Sequence, residues 1–507
     1  MIAKSKSLIP LGFTASIIEI EGDASHGLPS FNIVGMAAKT VSEARERVKS
    51  ALKSSGFSFP DKKLTINLAP ADLAKDGTYL DLAIAINILI LSGQLRQEDI
   101  EDSAFIGELS LDGNLRPVRG IINLAEEASS AGIRNLFIPS KNFTQGQLIK
   151  NINLIPVQNL GELFLHLKHQ APIEPPIPTV VKNTTTDNSG PFFSQIYGQD
   201  LAKRALTIAI AGRHNILLSG PPGTGKTMLA RAALNLLPPL KGAEQISVTK
   251  LHSLAGLASD VVASRPFRTP HHTSSLIALI GGGPKALPGE ISLAHAGVLF
   301  LDELPEYPRS LLEALRQPLE DRQISISRAG HKVTYPSDFM LIATMNPCPC
   351  GYLGDPTHVC TCTAGQIDVY RKKLSGPLMD RIDLFVEVGR IDVSHLLAKP
   401  PKDKHSLDVV KNTITGALSA QATRYNQPSV FNASLPSARI ARDIPLAPKV
   451  KQFLDSSASA LDLSARSYFK IIKVARTIAD LEGASDVNTS HLAEALSFRQ
   501  KATKNAL

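Results

Sequence analysis

Long apolar segments are lacking in this sequence. No run of apolar residues approaches the roughly 20 positions that a helix needs to cross a bilayer. The first 11 residues include two lysines but no apolar segment followed by a cleavage site, the mark of a secretory leader. These absences argue against a membrane-spanning or secreted protein, and they predict a cytoplasmic protein with no membrane partner.

A strong charge of one sign is lacking too. Lysine and arginine together number 54 against 46 for aspartate and glutamate, so the net charge is +8 over 507 residues. So modest an excess permits a polyanionic partner without requiring one. The apolar content of 43% and the charged content of 20% are typical of a soluble globular protein. The length predicts roughly two to four domains.

Cysteine is scarce, and the cysteines that occur are clustered. They are Cys348, Cys350, Cys360 and Cys362, in the pattern C-x-C-x9-C-x-C. In a reducing compartment such a cluster indicates a metal site rather than two disulfides. Four thiolates complete a tetrahedral shell with no open position, so we predict a structural zinc ion. Reduced structural cysteines are the alternative, because paired zinc ligands more commonly have two residues between them.

The stretch NILLSGPPGTGKT, residues 215–227, fits the phosphate-binding pattern G-x-x-x-x-G-K-[ST]. An apolar run precedes it and a helical pattern follows it, which is the context that this motif requires. Glycines let the backbone approach phosphates, and the start of the helix presents positive ends to the anion. The predicted nucleotide-binding residues are Gly220, Pro221, Pro222, Gly223, Thr224, Gly225, Lys226 and Thr227. We expect Lys226 to reach the β and γ phosphates and Thr227 to ligate Mg²⁺.

Two further apolar strands end in polar residues. The segment GVLFLDE ends in Asp302 and Glu303, and the segment LIATMN ends in Asn346. We predict that Asp302 holds Mg²⁺ through water, that Glu303 polarises the attacking water, and that Asn346 orients this water. Together with the phosphate-binding loop, these residues predict an ATPase that uses ATP and Mg²⁺.

Residues 1–170 are predicted to form a first domain of mixed strands and helices. Its KDG segment (75–77) and its GELSLDGNLRPV hairpin resemble the Lon protease domain, which has a ribosomal-S5-domain-2-like fold. Lon-type proteolysis needs a serine nucleophile activated by a lysine. The corresponding positions are Tyr79 and a residue near Ile122, and neither can do this chemistry. We therefore expect a catalytically dead domain kept for assembly or binding.

The rest of the chain divides into a linker, an ATPase core and a helical end. Proline, threonine and asparagine dominate residues 171–191, a predicted linker. Residues 192–392 carry the ATPase motifs, and residues 393–507 form a predicted helical lid. Lid helices are expected over residues 406–425, 448–461, 467–482 and 489–502. The fold class is therefore α/β with a helical carboxyl-terminal domain.

A resemblance to a known family rests on four segments. They are the phosphate-binding loop, GEISLAHAGVLFLDELPEYPRSLLEALRQPLED, MNPCPCGYLGDP and LSGPLMDRIDL. They are similar to the ComM/YifB family, the magnesium-chelatase-like branch of the AAA+ P-loop NTPases, and the resemblance covers essentially the whole chain. It implies a homohexameric ring with nucleotide at the subunit interfaces. It also implies that Arg381 is the arginine finger toward a neighbour's γ-phosphate. Arg466 matches the second sensor arginine, which we expect to face the nucleotide of its own chain.

The same resemblance implies a DNA motor that drives branch migration of recombination intermediates during natural transformation. Its partners would be single-stranded, duplex and branched DNA, and recombinase proteins. Other function classes share the ATPase core: an ATPase subunit of a magnesium chelatase, an ATP-dependent protease, and a protein-remodelling chaperone. The absent serine and lysine argue against the protease.

Two insertions distinguish this branch from simpler AAA+ modules. The first, residues 255–288, contains Arg265 and Arg268, and we predict that it faces the ring channel. Its His271-His272 pair lacks a neighbouring carboxylate or cysteine that would complete a metal site. The second insertion, residues 323–336, alternates as a hairpin does. The predicted DNA-binding residues are Arg328, His331, Lys332, Arg265 and Arg268. Basic loops of this kind grip phosphates without reading base sequence.

Overall fold

A computed structural model of the protein describes residues 2–35, 38–71, 73, 75, 78–176, 193–283, 286–328, 331–390 and 407–499. Several predicted features lie outside these residues. They are most of the predicted linker, the Asp76-Gly77 pair, the turn Ala329-Gly330 of the second insertion, and the predicted boundary between residues 392 and 393. Within the described residues, no helix combines the length and apolarity needed to span a membrane.

The amino-terminal part consists of two larger sheets and a two-stranded one, β6-β7, with helices packed between and beside them. Its strands are β1 (Ile2–Leu11), β2 (Thr14–Ser25), β3 (Ser30–Val34), β4 (Lys63–Ala69), β5 (Ser103–Phe105), β6 (Glu108–Leu109), β7 (Leu115–Arg116), β8 (Asn135–Pro139) and β9 (Asn153–Val157). Its helices are α1 (Ala38–Ser54), α2 (Asp81–Leu91), α3 (Ile121–Ser130), α4 (Phe143–Gly146) and α5 (Leu160–Leu167). Every residue of α2 is buried, as expected of a helix that is apolar around its whole circumference.

The first sheet of this part has the order β1-β2-β4-β3, and the second has the order β5-β8-β9. Strands β1, β2 and β4 pair antiparallel, whereas β3 pairs parallel with β4. Sequence patterns predict strands over residues 14–21, 31–34, 64–68 and 135–138 and helices over residues 40–55, 80–91 and 121–131, and the structure has an element at each of these places. They did not predict β1, β5, β9, α4 and α5.

The central part is a parallel sheet surrounded by helices. Its strands are β10 (Ile216–Ser219), β11 (Phe267–Arg268), β12 (Gly281–Gly282), β13 (Leu287–Pro288), β14 (Val298–Leu301), β15 (Gln323–Arg328), β16 (His331–Pro336), β17 (Met340–Met345) and β18 (Leu384–Glu387). Its helices are α6 (Asp200–Gly212), α7 (Lys226–Ala232), α8 (Gly242–Leu254), α9 (Leu276–Ile280), α10 (Glu290–Leu293), α11 (Arg309–Ala314), α12 (Arg316–Asp321), α13 (Ala364–Lys372) and α14 (Gly376–Met379). Five of the strands form one sheet in the order β11-β14-β17-β10-β18.

The register of this sheet brings three functional segments together. Leu217 of β10 and Leu301 of β14 both pair with Ala343 of β17 in parallel. Because these strands run in the same direction, their carboxyl ends meet at one edge of the sheet. The phosphate-binding loop, the acidic pair after β14 and the polar residue after β17 therefore lie at that edge.

The carboxyl-terminal part is helical, as predicted. Its helices are α15 (Leu407–Tyr425), α16 (Ser437–Asp443), α17 (Pro448–Ala460), α18 (Ala465–Leu481) and α19 (Thr489–Ser497). One apolar cluster joins these helices to α6 and to one face of the central sheet, with Ile342, Ile414 and Ile478 among its buried members. The helical part is thus packed directly on the sheet.

Candidate nucleotide-binding site

The phosphate-binding loop connects β10 to α7 and depends on glycine at two described positions. A Cβ atom at Gly220 would lie 2.1 Å from the backbone oxygen of Val388. Gly225 has a φ of +83°, in the left-handed region that favours glycine. The Thr224 hydroxyl donates to the Pro221 carbonyl at 2.9 Å and closes the loop on itself. The loop therefore leaves its amides and the first turn of α7 free to surround an anion.

Lys226 is held at the centre of this loop. Its Nζ donates to the Gly220 carbonyl at 2.6 Å, to the Pro221 carbonyl at 2.8 Å, and to Asn346 Oδ1 at 3.2 Å. The residue is 9% exposed, and burial lowers the pKa of its ammonium below the usual value. An entering phosphate would exchange with these neutral acceptors, so an anion satisfies the buried charge better than the carbonyls do.

The acidic pair after β14 is tied to the helix that follows the phosphate-binding loop. Thr227 Oγ1 donates to Asp302 Oδ2 at 3.0 Å, which joins the first turn of α7 to the acidic residue. A hydroxyl and a carboxylate at hydrogen-bond distance are the oxygen donors that Mg²⁺ prefers in nucleotide sites. The backbone of Glu303 has a φ of +54°, an uncommon conformation for a residue with a side chain. This turn directs the chain away from the sheet immediately after Asp302.

Thr344 is a site residue that sequence reasoning missed. Its hydroxyl donates to Asp302 Oδ1 at 2.5 Å and accepts from the Glu303 backbone N–H at 3.0 Å. The side chain is fully buried, so both contacts are protected from water. One hydroxyl thus fixes both members of the acidic pair. The signal was present in the sequence as a lone threonine in the apolar run LIATM, but its partners lie 41 and 42 positions away.

Tyr307 is a second residue that the sequence did not single out. Its hydroxyl donates to the Pro270 carbonyl at 2.6 Å, and His272 packs edge-on against its ring. Burial, together with the charges of Asp302 and Glu303, raises the pKa of this phenol. The middle of the first insertion is therefore in direct contact with the turn that follows the acidic pair.

The two arginines predicted to sense the γ-phosphate lie at the opposite edge of the sheet. Asn215, immediately before β10, donates from Nδ2 to the Arg381 carbonyl at 2.9 Å. The phosphate-binding loop follows β10, so Arg381 is separated from it by the length of that strand, roughly 13 Å. Arg381 is therefore placed to act outside its own nucleotide site.

Arg466 lies beside Arg381 and shares its partner. Arg466 Nη2 donates to Glu320 Oε1 at 2.6 Å, and Arg381 Nη2 donates to the other oxygen of the same carboxylate. The expectation that Arg466 faces the nucleotide of its own chain is therefore corrected. The carboxylate of Glu320, at the end of α12, holds both guanidinium groups at the far edge of the sheet. No sequence pattern indicated Glu320.

The cysteine cluster has the dimensions of a metal site. The Sγ atoms of Cys348, Cys350, Cys360 and Cys362 all lie within 4.8 Å of one another. Three of the six sulfur pairs are 3.4–3.6 Å apart. A zinc–sulfur bond of about 2.3 Å places the sulfurs of a tetrahedral site about 3.8 Å apart.

This cluster is also packed against the nucleotide site. A Cβ atom at Gly351 would lie 2.7 Å from Cδ of Pro222 in the phosphate-binding loop. Gly351 has a φ of +86°, so glycine is favoured there for its backbone as well. Since Asn346 is two residues before Cys348, the cluster is connected to the loop on one side and to the end of β17 on the other.

Arg265 and Arg268 are committed to contacts within the protein. The Arg265 guanidinium donates to Glu244, to the Pro238 carbonyl and to the Ala296 carbonyl, and its side chain is 7% exposed. Arg268 donates two hydrogen bonds to Glu290, at 2.6 and 2.7 Å. Because Arg265 is buried and its guanidinium is engaged inside the protein, the predicted DNA contact is withdrawn for Arg265. The pair with Glu290 uses only Nε and Nη2 of Arg268, whose side chain is 29% exposed, so its predicted DNA contact stays a prediction.

The second insertion is the predicted hairpin, formed by β15 and β16. Ile324 pairs with Tyr335, Ile326 with Val333, and Arg328 with His331 in an antiparallel register. Ile324 is buried and Lys332 is exposed, so an apolar residue anchors the base of the hairpin while a basic residue lies nearer its tip. The side chains of Arg328 and His331, two of the predicted DNA contacts, lie outside the part that the structure describes.

Three family profiles match successive parts of the chain. Magnesium chelatase, subunit ChlI, matches residues 192–396; subunit ChlI of Mg-chelatase matches residues 20–142; and magnesium chelatase, subunit ChlI C-terminal, matches residues 404–499. With the phosphate-binding loop and the acidic pair, these matches define a magnesium-chelatase-like AAA+ protein. Membership of this family indicates ATP binding and hydrolysis.

Two relatives that are similar over nearly their full length identify the family within this class of protein. Competence protein ComM of Haemophilus influenzae is 43% identical over 496 residues, covering 96% of both chains. The YifB protein of Escherichia coli is 42% identical over 492 residues, covering 96% of this chain and 95% of the relative. The magnesium-chelatase 67 kDa subunit of Chlorobaculum tepidum is 27% identical over 31% of this chain. The chain belongs to the ComM/YifB family.

Proposed function

We propose that this protein is an ATP-driven DNA motor that assembles as a homohexameric ring and moves the branch point of recombination intermediates during natural transformation. The observation that carries the proposal is the combination of a phosphate-binding loop and an acidic pair with a basic hairpin anchored on the same core. The relative named competence protein ComM supports a role in the uptake of DNA.

In the proposed reaction, the loop from Gly220 to Thr227 would hold ATP. Thr227 would ligate Mg²⁺ and Asp302 would hold it through water, and the ion would offset the charge of the phosphates. Glu303 polarises the attacking water, and Asn346, which already contacts Lys226, orients it. Arg381 and Arg466 lie at the edge of the sheet away from their own loop. We propose that both act on the γ-phosphate of the neighbouring subunit, where they neutralise the charge that develops during phosphoryl transfer.

Zinc is the metal that best fits the four cysteines. The sulfur spacing suits a tetrahedral ion, and four thiolates leave no position open for substrate. We propose that this zinc braces the phosphate-binding loop through Gly351 and Pro222.

The amino-terminal part is proposed to be a Lon-like domain without protease activity. Ile122 is fully buried, and Tyr79 is an aromatic residue where the nucleophile is needed. A structural role is therefore proposed for this part.

DNA is proposed to contact the hairpin through Arg328, His331 and Lys332. Phosphate contacts of this kind release counterions, so binding weakens as salt rises, by nearly one logarithmic unit per contact for each tenfold increase in salt. Sequence preference is not expected, because backbone contacts carry no base information.

The test is the rate of ATP hydrolysis without DNA and with single-stranded, duplex and four-way-junction DNA. Stimulation by DNA is expected, strongest with the junction, and branch migration of a labelled junction should accompany it. Replacing both Arg328 and Lys332 by alanine should remove stimulation and migration but leave basal hydrolysis within about twofold.

A matched control replaces Lys449 and Lys451, two exposed lysines of α17, by alanine. This removes the same number of charges away from the hairpin, so stimulation should persist. If DNA of every form leaves the ATPase rate unchanged, the motor is refuted. A chelatase-type subunit or a protein-remodelling ATPase would then be the better assignment.

A further inference from the structure

The turn between β1 and β2 reaches from the amino-terminal part to the hairpin of β15 and β16. Gly12 in this turn has a φ of +61°, and a Cβ atom there would lie 2.2 Å from Cγ1 of Val333. The next residue, Phe13, packs edge-on against Tyr335, with ring centroids 6.3 Å apart and planes at 73°. Only a glycine allows the turn to approach the hairpin so closely.

Tyr335 joins the hairpin to the rest of the core. It is 1% exposed and pairs with buried Ile324 on the opposite strand. Its hydroxyl donates to the Ala286 carbonyl at 2.7 Å, at the end of the first insertion. Ile326 lies against Gly281 of that insertion as well, 2.9 Å from the position of a Cβ atom there. Phe13 therefore touches the residue at which the two insertions meet.

The turn is itself fixed from behind. Asn123 of α3 donates from Nδ2 to the Phe13 carbonyl at 2.7 Å. The ammonium of Lys250 on α8 lies 4.3 Å from the centroid of the Phe13 ring, and it pairs with Glu126. Lys250 is 5% exposed, so water screens this cation–π contact little.

Buried hydrogen bonds hold α3 and α8 together around this point. The Ser253 hydroxyl of α8 accepts from the Gly120 N–H at 3.0 Å and donates to Gln145 Oε1 at 2.9 Å. The Gln145 amide donates onward to the Ala258 and Asp260 carbonyls, both at 3.1 Å. The amino-terminal part is thus hydrogen-bonded to the start of the first insertion.

We propose that Phe13 is a positioning residue for DNA engagement, through which the amino-terminal part braces the hairpin. An isolated two-stranded hairpin is only marginally stable, yet a hairpin that pulls on DNA must transmit force without bending at its base. Phe13 supports that base at Tyr335, and its own support comes from α3 and α8. The inference rests on the proposed DNA motor and gives the inactive Lon-like part a mechanical task within it.

The test uses the full-length Phe13→Ala variant with two separate measurements. The first is hydrogen–deuterium exchange of peptides from β15 and β16, which should become faster, while exchange at the phosphate-binding loop stays unchanged. The second is the DNA concentration that gives half-maximal stimulation of ATP hydrolysis. It should rise about tenfold, as expected for loss of one aromatic pair and one cation–π contact. Basal hydrolysis should stay within about twofold, and Phe13→Leu should restore part of the effect.

Phe59→Ala is a matched control. Phe59 is half-buried in the same part of the chain, pairs with Phe31 at 5.7 Å, and lies 5.8 Å from the ammonium of Lys49. The substitution therefore removes the same kinds of contact without touching the hairpin. It should leave hairpin exchange and DNA stimulation unchanged.

The outcomes distinguish failure of the proposed role of Phe13, the brace, from failure of the proposed DNA motor function. Unchanged hairpin exchange in Phe13→Ala overturns the brace, and so does an equal effect of Phe59→Ala. Faster exchange in a protein whose wild-type form shows no response to DNA overturns the proposed motor, and with it the DNA role of the brace. Faster exchange with unaltered DNA stimulation also overturns the positioning role.

Discussion

Replacement of Thr344 by valine should slow ATP hydrolysis with little effect on ATP binding. Valine has nearly the shape of threonine, so the buried space at the end of β17 stays filled. The substitution removes one hydrogen bond to the Asp302 carboxylate and one from the Glu303 backbone. Both acidic residues then lose a fixed partner on the neighbouring strand.

The size of the effect follows from the charged partner. A hydrogen bond to a charged group contributes about 1.5–3 kcal/mol. Each 1.36 kcal/mol of lost transition-state stabilisation is tenfold in rate, so kcat should fall by about 10-fold to 100-fold. Glu303 has a φ of +54°, which a residue with a side chain adopts only when neighbouring contacts hold it there. The KM for ATP should change little, because the contacts of Lys226 and of the loop are untouched.

The assay is steady-state ATP turnover over a range of ATP and Mg²⁺ concentrations, with thermal unfolding measured alongside. Thr344→Ser keeps the hydroxyl and should retain most of the rate. A valine variant that turns over ATP at the normal rate would refute the reasoning. Equal losses in the serine and valine variants would show that the hydroxyl by itself does not account for the effect. A large fall in Tm would show that the loss of ATP turnover comes from a destabilised fold.

Three further predictions concern the nucleotide site and its supports. Lys226→Ala should weaken ATP binding, because the ammonium holds the phosphates, whereas Glu303→Gln should keep ATP bound and stop its hydrolysis; equal loss of affinity in equilibrium binding would contradict these roles. Metal analysis should find about one zinc per chain, and Cys348→Ser should lose the metal, lower Tm and slow hydrolysis. A metal-free protein of normal activity and Tm would argue against this. Glu320→Ala should lower ATP turnover by about threefold to tenfold at unchanged nucleotide affinity, a range kept small because the carboxylate is half exposed. Normal turnover in that variant would mean that the two arginines need no shared carboxylate.

Several features could be predicted from the sequence because their physical cause is local. A phosphate-binding loop needs glycines at fixed spacing, and Gly220 and Gly225 meet that need in the structure. Asp302 directly follows an apolar strand, so it lies at the carboxyl end of that strand, where parallel sheets place their ligand-binding residues. Its predicted role in holding Mg²⁺ therefore needed no knowledge of its neighbours in space. The cysteines are close in sequence, so their clustering was visible too.

The tertiary structure decided which charges are free to act and which side chains support the site. Arg265 is paired with Glu244 of α8, a partner that no sequence pattern indicated. Arg466 and Glu320 are 146 positions apart in the sequence, and their pairing places Arg466 at the far edge of the sheet, away from its predicted position. Phe13 meets Tyr335 only because β1 and β2, α3 and α8 bring them together. An arginine or an aromatic residue has no local pattern that names its partner, since ion pairs and ring contacts depend on proximity in space. Sequence thus determined the chemistry that this protein carries, and packing between distant elements decided where each group can use it.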